Sequence, residues 1–186
     1  MTSLYPDRCG ATPERAVWIE LEWVPPRIHW MREDRMTRIA RQDTAASPRE
    51  VWNVLSDGWR YAAWVVGASR IRRVDAAWPD VGSRICHSVG MWPVLFDDYT
   101  EVLGRTSERE LVLGARVRPF GRAGIRLTID QTETGSHITM SEHITGGVGC
   151  VLPEVVQGEL VRPRNQECLR RLAMIAERGT HGEAGE

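Results

Sequence analysis

The feature that most constrains this chain lies between residues 69 and 145, where six stretches of alternating polar and apolar residues are separated by short turn sequences. Residues 69–74 and 83–89 flank Trp78-Pro79-Asp80-Val81-Gly82. Residues 99–103 and 111–117 flank Gly104-Arg105-Thr106-Ser107-Glu108, and residues 125–131 and 137–145 flank Thr132-Glu133-Thr134-Gly135-Ser136. A period of two sends successive side chains to opposite faces, and turns this short return each strand beside its predecessor, so the pattern predicts an antiparallel meander.

Helical signals bracket the meander. A short strand is expected over residues 37–45, and Ser47-Pro48-Arg49-Glu50 then opens a helix. Ser47 is its N-cap, Pro48 takes the first helical position, and Glu50 sits where a capping box needs a carboxylate. Val51, Trp52, Leu55 and Trp59 make an apolar stripe interrupted by the stop signal Asp57-Gly58, and Tyr61 to Trp64 forms a second short turn. After Gly146-Gly147-Val148-Gly149 the period lengthens again: Val155, Val156, Leu160, Leu169, Leu172, Ala173 and Ile175 predict a long helix ending at Gly179. Pro163 is expected to kink or divide it, because its ring removes a donor and crowds the preceding turn.

The 186 residues suit one domain, expected over residues 36–179. Residues 1–35 follow neither period. They are either an arm appended to the domain or a segment translated from an over-long reading frame, and residues 180–186 are expected to be a disordered tail.

Composition removes several classes of chemistry. All 24 basic residues are Arg, so no lysine is available for a Schiff base or to reach a nucleotide phosphate. The net charge of −1 makes the arginines at 70, 72, 73, 116, 118, 122 and 126 a solvated, ion-paired surface, and no nucleic-acid partner is expected. Cys9, Cys86, Cys150 and Cys168 form no C-x-x-C pair, which supports neither a zinc site nor a disulfide framework, and reduced thiols are expected. Gly147-Val148-Gly149 lacks the third small residue of a dinucleotide loop and precedes Pro153. No G-x-S-x-G elbow, H-E-x-x-H helix or ligand-spaced histidine cluster occurs, and neither a metal nor a cofactor is expected. There is no secretory pattern and no apolar run of the ~20 residues that cross a bilayer, so a cytoplasmic protein without a transmembrane segment is expected. Oligomeric state is not legible.

Strand, two short helices, meander and long helix is the order of the START-like helix-grip superfamily, and the chain resembles its SRPBCC branch of polyketide cyclase/dehydrase and lipid-transport proteins. The residues that carry the resemblance are Ser47 to Asp57 (SPREVWNVLSD), Trp64-Val65-Val66-Gly67, Trp78-Pro79-Asp80-Val81-Gly82-Ser83 and Arg164 to Leu172 (RNQECLRRL). It covers residue 37 to about residue 178. It implies an α+β helix-grip fold: a curved antiparallel sheet of about seven strands wrapped around a long C-terminal helix, with an internal cavity between them. Such motifs specify fold better than chemistry.

Strand alternation assigns the faces independently. Ile138, Met140, Glu142 and Ile144 share the apolar face of the last strand, and Ile85, His87 and Val89 share that of an earlier one. Leu113, Ala115 and Val117 face inward on a third strand and Leu127 on a fourth, while Val156, Leu160 and Leu169 line the helix. Trp92, Leu95 and Phe96 are either a flap at the pocket mouth above Trp64 or ordinary core packing. Tyr99, whose face the pattern leaves open, offers a hydroxyl to orient a ligand carbonyl. Three functions follow as expectations. The first is binding of a small hydrophobic molecule, lipid-like or an aromatic polyketide. The second is a cofactor-free cyclase or dehydratase in which Glu142 and His87 serve as acid and base, and against it stands the reading that Glu142 merely pairs with His87 or an arginine. The third is a regulatory or interaction protein with a filled cavity.

Overall fold

The computed structural model describes residues 39–91, 94–117, 121–146 and 154–182, with the side chains of 91, 94, 117, 144–146, 154–160 and 180–182 left aside. In chain order the elements are β1 (Ile39–Thr44), α1 (Pro48–Ser56), a 3-10 turn (Gly58–Arg60), α2 (Tyr61–Trp64), β2 (Ala68–Val74), β3 (Arg84–Met91), β4 (Val94–Thr106), β5 (Glu110–Val117), β6 (Gly121–Thr132), β7 (Gly135–Gly146) and α3 (Glu154–Gly182). The strands form one antiparallel sheet in the order β1-β7-β6-β5-β4-β3-β2, so β1 closes one edge by pairing with the last strand. This is the α+β helix-grip architecture expected above. Register shifts interrupt the β2–β3, β4–β5 and β6–β7 ladders. Each adds local twist and bends its strand, which gives the sheet its curvature.

Local chemistry sets the ends of these elements. Ser47 and Glu50 form the reciprocal capping box: the Ser47 backbone amide donates to Glu50 Oε2 (2.7 Å) and the Glu50 amide donates to Ser47 Oγ (3.4 Å). At the other end of α1 the indole Nε1 of Trp78 donates to the Leu55 carbonyl (3.1 Å), satisfying one of the orphan acceptors of the last turn. Glycine is required at residue 135, where the β6–β7 hairpin re-enters the sheet with φ +150° and an added Cβ would strike the Thr44 carbonyl.

Helix α3 packs on β1, α1, α2 and β7. Asn165, Leu169, Leu172 and Ala176 recur at spacings of four and three and are at most 1% exposed, so this stripe is the face turned to the core. Polar ties fix its height. Thr44 Oγ1 donates to Glu177 Oε1 (2.6 Å), Gln166 Nε2 donates to the Arg41 carbonyl (2.9 Å), and the Val66 amide donates to Cys168 Sγ (3.2 Å). Pro163 does not divide the helix, and α3 runs through it and past Gly179 to Gly182. Cys168 is a buried free thiol. Cys86, however, is disulfide-bonded, which corrects the expectation of four reduced cysteines. Among the described residues no helix is long and apolar enough to cross a membrane.

Candidate functional site

The β3–β4 ladder, continuous from Met91–Val94 to Arg84–Glu101, sets Asp98 opposite His87 and Thr100 opposite Ile85. Thr100 therefore shares a face with His87, and its hydroxyl lies 3.0 Å from His87 Nε2. The same hydroxyl is 3.0 Å from the phenolic oxygen of Tyr61, delivered from α2. The Tyr61 and His87 rings lie 5.3 Å apart, and Trp64 meets Tyr61 edge-on at 5.4 Å. Tyr61, Thr100 and His87 thus form a buried hydrogen-bonded row on the helix-facing side of the sheet. His87 is 3% exposed, and burial lowers its pKa to about 4, with the Arg72 charge pushing the same way. The Ser88 backbone offsets part of this, but its geometry falls short of a hydrogen bond, so His87 Nδ1 has no partner. Burial pushes the Tyr61 phenol up to about 12, against the pull of its Thr100 bond and of Arg164. Both rings are neutral at pH 7.

A second polar group stands beside the first. Glu142 on β7 is 7% exposed and pairs with Arg164 of α3, whose Nη2 donates to Glu142 Oε2 (3.1 Å). Glu142 and Arg164 both act electrostatically on Tyr61 and on Cys168, whose thiol burial pushes up. Next to Arg164 in the chain, Asn165 is 0% exposed and neither its Oδ1 nor its Nδ2 has a hydrogen-bond partner. The Nε of Arg164 is likewise buried without one.

The expected lining residues divide by environment. Leu113, Leu127, Met140 and Leu169 are at most 1% exposed, so they are tightly packed core. Trp64 is buried against Tyr61, and Ala115 leaves a short side chain opposite Thr100. Val89 and Phe96 pair across β3–β4 on the face of His87; Phe96 is 37% exposed, while Leu95 is 48% exposed on the opposite face. Tyr99 also belongs to that opposite face. It pairs with Cys86, and the Arg84 guanidinium lies 4.9 Å above its ring, which removes it from the set. Trp92 and the side chains of Val117, Ile144, Val156 and Leu160 lie outside the described residues. Sequence reasoning missed Tyr61, Thr100, Arg164 and Asn165. A polar depression of about 690 Å³ on another part of the surface is lined by Pro48, residues 106–110 and residues 128–131, and shares no residue with the cluster.

A curved sheet gripping a terminal helix, with a small polar cluster set into an apolar interior, defines a helix-grip domain of the kind that receives hydrophobic ligands. The model of the polyketide cyclase / dehydrase and lipid transport family matches residues 36–177, and the chain belongs to that family. No curated protein matches the chain. Among solved structures it is similar to protein NE0264 from Nitrosomonas europaea, with 14% identity and a TM-score of 0.61, covering 78% of this chain and 98% of that one. It is similar to the di-domain ARO/CYC StfQ from the steffimycin biosynthetic pathway, with 10% identity, a TM-score of 0.59 and coverage of 78% and 53%. It is also similar to Ara h 8.0201, with 12% identity, a TM-score of 0.55 and coverage of 74% and 95%. At these identities the likeness is one of fold.

Proposed function

We propose that the domain binds a small, largely apolar molecule between its sheet and α3. The observation that carries this reading is that the buried polar atoms without a protein partner include His87 Nδ1, Arg164 Nε and both amide atoms of Asn165. An unpaired buried polar group costs roughly 1–3 kcal/mol, and native interiors carry few of them, so side chains with such spare capacity suit a site that receives a ligand's polar end. The short side chains of Ala115 and Ala123 support the same reading, because they put the least bulk on the sheet beside Thr100. Cofactor-free cyclisation or dehydration draws less support. Glu142 is engaged by Arg164 and His87 by Thr100, and among the described residues no hydrogen bond joins the two as an acid–base pair.

Fluorescence titration with 1-aminoanthracene, a neutral apolar reporter, tests the proposal. Saturable binding in the wild type and its loss by about tenfold or more in Ala115→Leu, with an unchanged circular dichroism spectrum, is the expected result. Equal binding by both proteins, or none by either, would contradict it.

A further inference from the structure

Resting on that reading, we infer that Asn165 is the polar anchor of the site and that it selects an uncharged head group presenting an acceptor beside a donor. The helical stripe Asn165, Leu169, Leu172, Ala176 turns the amide into the core, next in the chain to Arg164 and three residues before Cys168, both of which act on Tyr61. An apolar side chain would extend this stripe without cost. Asn165 instead brings one strong acceptor and a two-proton donor, both unmatched within the protein. Because both atoms are unmatched, the requirement is the same whichever way the amide is turned. A ligand that satisfies it offers an acceptor to Nδ2 and a donor to Oδ1 on neighbouring atoms, as a primary amide does, or a hydroxyl next to a carbonyl.

The charge of the ligand follows from the neighbours. Arg164 supplies the positive charge beside Asn165, and Glu142 at 3.1 Å already balances it. Tyr61 and His87 are neutral at pH 7. A ligand carboxylate entering here would lose its hydration, find among the described residues of the cluster only the cations Arg164 and Arg72, already paired with Glu142 and Asp97, and face both Glu142 and the Asn165 Oδ1 dipole. The cluster therefore favours the neutral amide over the anion of the same shape.

Displacement of 1-aminoanthracene by 2-naphthamide, 2-naphthoate and 2-methylnaphthalene tests this directly. In the wild type the amide is expected to displace the reporter at about tenfold lower concentration than either competitor. In Asn165→Leu that advantage disappears and the Tm rises, since an unmatched amide has left the interior. Equal displacement by the three compounds in the wild type would overturn the inference, and that comparison does not depend on the variant folding. An advantage kept in Asn165→Leu, or a fall in its Tm, would overturn it too. A reporter that binds with no preference for the amide defeats this inference alone, whereas a reporter that never binds defeats the ligand-binding reading beneath it.

Discussion

His87 shows how far one residue's environment departs from its chemistry in water. Its native pKa of about 4 lies below the ordinary 6.5, so between these values the unfolded chain takes up a proton that the native protein does not. The resulting contribution to stability is fully present above pH 6.5, is lost as pH falls toward 4, and is constant below that. Relative to a His87→Gln variant, the wild type is expected to lose about 2 kcal/mol of unfolding free energy between pH 7 and pH 5, measured by urea denaturation. Parallel pH profiles for the two proteins would mean that His87 is solvated. At this scale the sequence was partly legible. Glu142 and His87 each sit in a strand whose apolar neighbours fix the phase of alternation, so both were recognised as inward. Thr100 sits in Asp97-Asp98-Tyr99-Thr100-Glu101, which has no aliphatic residue to set the phase, and only pairing with β3 shows its face. Asn165 was legible in principle: the stripe of Leu169, Leu172 and Ala176, extended back one turn, lands on it.

Among the elements, α1 and α2 follow the sequence most closely, because capping residues and stop signals act locally. Ser47 and Glu50 satisfy each other's backbone amides at the start of a nine-residue helix, so Ser47→Ala is expected to lower stability by about 1 kcal/mol with no change in the fold, read as a shift in the urea midpoint at constant slope. An unchanged midpoint would mean that tertiary contacts alone hold α1. The strands were harder to delimit. β4 runs from Val94 to Thr106, although only residues 99–103 carried a readable pattern: Val94-Leu95-Phe96-Asp97-Asp98 does not alternate, and the bulge between Val102 and Gly104 breaks the period of two beyond it. Pro163 misled in the other direction. A proline one helical turn below the tied stretch of α3 does not end a helix whose following turns are held by Gln166, Cys168 and Glu177.

For the whole molecule, the order of elements and the family motifs together specified the architecture, while the position of the polar cluster depends on which strands come to lie side by side. Glu142 and Arg164 are 22 residues apart, and His87 and Tyr61 come from different layers. Packing of α3 on β1, β7, α1 and α2 gathers Glu142, Arg164 and Tyr61, and the proposal built on that cluster is that an apolar guest with a neutral polar end lies between sheet and α3. Intermolecular nuclear Overhauser effects from bound 1-aminoanthracene to methyl groups of the protein test it most directly. Contacts from the reporter to Ala115, Ala123 and Val89 are predicted. Contacts confined to the Pro48 and Ile129 depression on the surface, or a complete lack of contacts to the sheet's helix-facing methyl groups, would contradict it.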